Sequence, residues 1–241
     1  MDRMCCPNCN TFFDADLLEE VINPDVLITK KQQDRNSWQE MIDIIRSGQS
    51  YRLFDIGDSI SFKLKDGTDF SMDVAGFNIY GENNVILVAH DLLKEDKCMN
   101  ERAEYRDVGG WRDCKMRDYL HKDFFPLLPD GLKEIIKPRT IVQKINGKEY
   151  ESKDYVWLPS QTEMFENSPS VFDFGDIHFP LFDSEQSRVK IRIGGNATLW
   201  YWLRTPPSGN GYNVRYVTPT GYLSDNIASN SNGVAPACII G

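Results

Sequence analysis

Three groups of side chains have the types and spacing to do chemistry. The first is Cys6-Pro7-Asn8-Cys9, a C-x-x-C knuckle that is half of a zinc ribbon. A structural zinc takes four ligands, usually from two such pairs. The second pair is missing, and His90, His121 and His178 are distant in sequence. Cys5 would be a third ligand beside Cys6 and Cys9, or a second chain would complete the site; the alternative is a set of reduced thiols without metal. A thioredoxin-like role is disfavoured, because no βαβ pattern surrounds the motif. The second group is thiols and acids that could catalyse. Cys238 stands in PACII and reads as a small buried hydrophobe. Its candidate partners, Cys98 and Cys114, lie in other segments. A nucleophile also wants a base beside it, and His178 sits in an irregular stretch with no evident group to orient it. The chain's 36 acids guarantee some close pairs, yet no spacing singles two out.

The third group is GYNVRYVTPTGYLSDNIASNSNGVAPACII, with LWYWLR upstream and VAPACII as its own end. Both apolar runs read as strands. Between them Tyr, Asn and Ser supply rigid aromatic area and adaptable hydrogen bonds, the composition of antibody paratopes. The candidate ligand-binding residues are Tyr212, Asn213, Arg215, Tyr216, Tyr222, Ser224, Asp225, Asn226, Ser229, Asn230 and Asn232. The competing reading is a polar loop set closing a sheet edge with no ligand.

These residues need a scaffold, and composition allows one. A chain of 241 residues suits one large domain, or one domain with a small appendage. At 41% hydrophobic and 12% aromatic it can bury a core. A net charge of −9 argues against nucleic acid as partner. No apolar run approaches the ~18 residues of a membrane span, and MDRMCCPNCN lacks a signal-peptide core. The expectation is a cytoplasmic protein or a phage particle component, without a cleaved signal peptide. Six cysteines, three crowded at the N-terminus and three scattered, form no disulfide framework.

The elements follow from periodicity. FFDADLLEEVI (12–22) reads as a short acidic helix and residues 24–36 as a linker. Ser37-Trp38-Gln39-Glu40 reads as a capping box, with Trp38, Met41, Ile42 and Ile45 at helical spacing and Gly48 as the stop. Ile60, Phe62 and Leu64 alternate with polar residues, Asp66-Gly67 is a hairpin turn, and Phe70, Met72 and Val74 alternate after it. Val85–Val88 is a buried strand. Trp111, Met116, Tyr119 and Leu120 fit one helix face, with a second short helix after Pro129. Strands return at 139–145, Asn146-Gly147 is a tight turn, and YVWLP is a strand running into a second capping box, Ser160 to Glu163. Residues 166–187 read as a long loop packed by its own aromatics. LWYWLR, YNVRYVT and VAPACII read as three strands of one C-terminal sheet. The class is α+β, with residues 1–36 as knuckle, short helix and linker and 37–241 as the main domain.

At GGW, WLPSQTE, WYWLRTP and NSNGVAP the chain resembles an uncharacterised family of bacterial and phage domains. The matching residues are Trp38 with Gly48, Gly109-Gly110-Trp111 with Met116-Arg117, and Leu158-Pro159-Ser160 with Glu163. They continue with Trp202-Leu203-Arg204-Thr205-Pro206 and end at Gly233-Val234-Ala235-Pro236. The C-terminal third is similar to C-type-lectin-fold proteins, among them the variable proteins diversified by retroelements and the formylglycine-generating enzymes. The resemblance implies a C-type-lectin-like domain with an N-terminal helix, antiparallel hairpins and a C-terminal mixed sheet carrying long loops. It implies a displayed, tunable face for a protein or glycan on a cell surface, with Trp111, Glu163, Trp202 and Arg204 as structural residues. The family usually has Arg at the position of Ala235, so Arg204 becomes the candidate for the surviving buried cation. Two other classes stay open: an enzyme of the formylglycine-generating fold group, and a zinc-knuckle adaptor.

Overall fold

The computed structural model describes residues 3–5, 12–14 and 35–241. Strands β1 (Arg3–Cys5) and β2 (Phe12–Asp14) form a small antiparallel hairpin in which Cys5 faces Phe12. The acidic helix expected from residue 12 therefore opens as a strand, because the ladder with β1 satisfies its backbone. Cys6 and Cys9 lie outside the described residues, and with them the expected zinc.

Helix α1 (Arg35–Arg46) buries Trp38, Met41, Ile42 and Ile45, the spacing legible in the sequence. It starts two residues before Ser37, so Ser37 is inside the helix and is not its cap. Gly48 ends it in the left-handed region, φ +77°. The Trp38 ring packs edge-on against Phe62, 5.8 Å between centroids. A Cβ at Gly131 would come within 2.7 Å of Trp38, so only glycine lets the later helix approach α1 this closely.

Next come β3 (Ser59–Lys63), β4 (Asp69–Phe77), β5 (Val85–Ala89) and the short β6 (Lys97–Cys98). The helical stretch after Gly109 and Gly110 is cut into short pieces: a 3-10 turn, α2 (Lys115–Tyr119), a π turn, a 3-10 turn at Pro126, and α3 (Asp130–Ile135). Then follow β7 (Ile136–Lys137), β8 (Arg139–Ile145), β9 (Lys148–Asp154), β10 (Val156–Trp157), α4 (Gln161–Met164) and β11 (Asp173–Phe174). The chain closes with β12 (Tyr201–Trp202), β13 (Asn213–Val217), β14 (Leu223–Ile227), β15 (Ser231–Asn232) and β16 (Ala237–Ile240).

The main sheet runs β10-β16-β5-β4-β3, with β7 also paired to β16. The last strand is thus central: Ile240 pairs with Val85 on one side and Ile136 on the other, and all four of its residues are buried. VAPACII therefore leaves the sheet of LWYWLR and YNVRYVT, to which the sequence reading assigns it. Fully apolar, it fits a strand covered on both faces and not the half-exposed sheet of β12, β13 and β14. That smaller sheet is antiparallel throughout, and the parallel pairings among the described residues are isolated bridges, so the expected mixed sheet is absent from them. Short helices on mostly antiparallel sheets make the class α+β. No helix among the described residues is long and apolar enough to cross a membrane.

Candidate functional site

The sheet β12-β13-β14 carries most of the residues singled out from sequence. Its register pairs Trp202 with Tyr216 and Tyr216 with Ser224, while Arg215 faces Asp225. Side chains alternate across a strand, so the candidates divide between two faces. Tyr216, Ser224 and Asn226 share one face with Trp202, whose ring meets Tyr216 edge-on at 6.3 Å. Asn213, Arg215 and Asp225 share the other.

On that second face the polar groups are turned on each other. Asp225 accepts from Asn213 Nδ2 at 2.5 Å and from Arg215 Nη1 at 3.0 Å. These contacts knit the hairpin and take up both oxygens of Asp225, while Arg215 keeps donors unbonded, its Nε among them. The remaining candidates lie at its ends. Tyr212 precedes β13 and Tyr222 precedes β14, so the length of a five-residue strand, roughly 17 Å, separates them. Ser229 and Asn230 are exposed in the turn beyond β14, where Asn230 Nδ2 donates to Asn226 Oδ1 at 2.7 Å. Asn232 sits in β15 opposite Lys97. The single face expected from composition is two patches.

The patch at the Tyr222 end is the richer. Thr218 N donates to Tyr222 O at 2.8 Å, which extends the register one step beyond the strands. The same step along β12 brings Trp200 level with Thr218. Trp200 and Tyr222 are each about half exposed, 49% and 58%, and flank Thr218 on the face that carries Ser224. Trp200 is missed by the sequence reading because LWYWLR looks uniformly buried. No alternation marks it: Tyr201, Trp202 and Leu203 are all buried, and Trp200 is open because it stands one residue before β12, where cover ends. Behind it, Gly233 bonds Trp200 and Trp202 through its backbone. A Cβ at Gly233 would lie 2.5 Å from Leu92 Cδ1 and 2.9 Å from Trp200 O, which accounts for the glycine of the G-V-A-P run. Trp202 Nε1 donates to Lys97 O at 2.8 Å and fixes the floor.

Beneath this sheet lies a buried ionic ring. Arg204, just past β12, donates to Glu163 Oε2 at 2.7 Å, Asp176 Oδ2 at 2.5 Å and Leu158 O at 2.7 Å. Arg139 of β8 closes the ring by bonding the other oxygens of Glu163 and Asp176. Glu163 is placed by the capping box at Ser160, whose N–H it accepts at 2.7 Å, and by the Tyr80 hydroxyl at 2.8 Å. Burial alone would raise the Glu163 carboxyl, but Arg204 and Arg139 outweigh it and hold it at about 2. Asp173 is the odd member. Its Oδ2 accepts from Thr205 Oγ1 at 2.6 Å, and burial, then the Asp176 carboxylate, push it up to about 7. Trp111 joins through Gln143: its N–H donates to Gln143 Oε1 at 2.7 Å, and Gln143 Nε2 donates to Arg204 O at 3.0 Å. Arg204, Glu163, Trp111 and Trp202 are all buried and braced. Arg139, Asp173 and Asp176 were not singled out; long-range pairing of isolated charges leaves no local pattern to read. Ala235 is fully buried, with no cation at that position.

Among the described residues Cys98, Cys114 and Cys238 are free thiols. Burial pushes Cys114 and Cys238 up to about 12, so neither offers thiolate at neutral pH, and Cys238 Sγ contacts Met72 Sδ at 4.0 Å. Among the described residues no group of three or more His, Cys, Asp or Glu is arranged to hold a metal ion. What the open patch offers is aromatic planes and hydroxyls, which is chemistry for stacking and hydrogen bonding.

No curated protein matches the chain, and no solved structure does. A family model described as a domain of unknown function, DUF6273, matches residues 82–241, from the turn before β5 to the central β16. That span holds the ionic ring and the whole β12-β13-β14 sheet, and the chain belongs to the DUF6273 family.

Proposed function

We propose that this protein is a ligand-binding domain of C-type-lectin-like architecture that recognises a protein or glycan on a cell surface. The observation that carries the reading is Trp200 and Tyr222, half exposed on either side of Thr218, with Ser224 on the same face. Trp and Tyr combine large contact area with few torsions to freeze, and they dominate binding energy where they occur at interfaces. Thr218 and Ser224 add hydroxyls beside the rings. The Asn-rich tip at Tyr212, Asn226, Ser229 and Asn230 is a second, smaller contact region of the same hairpin. The test is a glycan-array and cell-surface binding screen of the intact chain against Trp200→Ala/Tyr222→Ala. The reading requires a ligand that the wild type holds and the double variant loses while its thermal unfolding is kept. A ligand bound equally by both moves the site elsewhere.

The proposal extends to diversification of the terminal segment by a retroelement, as in the variable proteins it resembles. A near-repeat of that segment in neighbouring DNA, differing at adenines, supports it; its absence removes it. Zinc at Cys6 and Cys9 is likewise a proposal, answered by metal analysis of the purified chain.

A further inference from the structure

A cleft of about 480 Å³ opens between the turn 78–84, the β7–β8 junction and Phe174-Gly175 at the end of β11. Its size is that of a small-ligand site. Two of its polar groups lack partners. Asn84 is 3% exposed; its Nδ2 donates to Gly81 O at 2.9 Å, but its Oδ1 accepts from no donor among the described residues. A buried acceptor left without a donor is costly and begs a donor from outside. Lys137 has no side-chain carboxylate partner among the described residues; its Nζ packs beside Gly241, whose carbonyl accepts from Arg46 Nη2 at 3.4 Å. The other cation of the cleft, Arg139, is by contrast consumed by Glu163 and Asp176.

The walls give shape and direction. Asn78, Tyr80 and Asn83 all hold positive φ, between +53° and +64°, so the turn is a fixed wall kept in place by its surroundings, including the Tyr80 bond to Glu163. Strand β11 covers β8 only at Val142 and Gln143, which leaves Thr140 at an open edge inside the cleft. Lys144 N donates to Phe172 O, so residues of that parity in β8, Thr140 among them, turn their backbone groups towards this side. A strand added there in line with β11 runs antiparallel to β8, from Phe174 towards Lys137. Its last residue arrives at the unpaired ammonium.

We propose that this cleft takes the free C-terminus of an extended peptide, its carboxylate on Lys137, a backbone N–H on Asn84 Oδ1 and the side chains that precede its last residue against Val142 and Phe174. Strand addition with carboxylate capture is an established mode of peptide recognition, and here an open strand edge, a cation and an unsatisfied acceptor converge. The site is independent of the aromatic patch. The probe is acetyl-alanyl-alanyl-valyl-phenylalanine, titrated into the full chain by calorimetry and by amide chemical shifts. Its C-terminal amide and acetyl-phenylalanine alone serve as controls. The acid is expected to bind with Kd below about 1 mM, the amide at least ~10-fold more weakly. Lys137→Met should bind the acid no better than wild type binds the amide, Lys137→Arg should restore part of the difference, and Trp200→Ala/Tyr222→Ala should bind it as wild type does. Acetyl-phenylalanine binding as tightly as the longer acid would mean a small-acid site and would sink the peptide reading. Equal binding of acid and amide, no binding of either, or loss in the Trp200/Tyr222 variant would also overturn it.

Discussion

Arg204 and Arg215 are backbone neighbours, since Leu203 N donates to Arg215 O at 2.9 Å, and both pair with carboxylates. Their surroundings differ completely. Arg204 is wholly buried and bridges two carboxylates and a carbonyl; the Arg215 side chain is 24% exposed and meets one carboxylate that Asn213 also uses. The buried ring ties β8, α4, the loop after β11 and the end of β12 into one body. The exposed pair only fastens two strands that are already hydrogen-bonded. Similar charges thus do a fold-wide job in one place and a local one in the other, and burial decides which.

The sharpest way to break that contrast is Arg204→Met. It leaves Glu163 and Asp176, both buried, short of a cation, an arrangement that costs about 3–5 kcal/mol. In a chain of this size that lowers Tm by roughly 6–20 °C. Arg204→Lys should recover little, because a point ammonium cannot span two carboxylates as the planar fork does. A loss below ~1 kcal/mol for Arg204→Met in thermal or urea unfolding would mean that Arg139 alone neutralises the ring.

Asp173 tests the same ring through pH. Folded, it keeps its proton up to about 7; unfolded, it ionises near its ordinary 3.8. Between those values the folded chain binds the extra proton, so its contribution to stability is full below the lower value and is lost as pH rises to the upper. Asp173→Asn cannot ionise, keeps an acceptor for Thr205, and should flatten the decline. At pH 8 it should exceed wild type by on the order of 2 kcal/mol. Glu163, held at about 2 against its ordinary 4.5, contributes stability that is lost as pH falls from 4.5 towards 2, and so meets this window only at its acid end. Unfolding curves of the two proteins that run parallel from pH 4 to 8 would show that Asp173 ionises freely inside the fold.

The sequence made the local half of this contrast readable. The capping box at Ser160, the αL turn at Asn146-Gly147, the alternation of Ile60 and Phe62 and the helical spacing from Trp38 are short-range patterns, and each is present. Where two local patterns competed, pairing decided: Phe12–Asp14 joined a ladder, and VAPACII entered the sheet that could bury both its faces. The ring was not readable, since Arg139, Glu163, Asp176 and Arg204 come from four separate segments. The candidate face was half readable. Composition marked one hairpin, but two-residue alternation splits its polar residues between opposite faces, and Trp200 is hidden in an apolar run.

The aromatic patch sharpens the comparison from the binding side. Trp200→Ala/Tyr222→Ala should weaken binding of whichever surface ligand is found by at least ~10-fold. Stability should fall by no more than ~1 kcal/mol, because both rings are half exposed. Tyr212→Ala, a strand length away, should leave that affinity within about two-fold if the two patches bind separately. An equal loss from Tyr212→Ala would join them into one surface that spans the hairpin.

The smallest effect belongs to Arg215 and Asp225. With both side chains partly in water, the ion pair gains little over solvation and is screened by salt. A double-mutant cycle with Arg215→Ala and Asp225→Ala should give a coupling of about 0.2–1 kcal/mol, shrinking further as salt is raised. Asp225→Ala alone should cost slightly more than Arg215→Ala, since it also strips the acceptor from Asn213 Nδ2. A coupling as large as the effect of Arg204→Met would show that the hairpin depends on its charge pair. Exposure would then be the wrong variable for telling the two arginines apart.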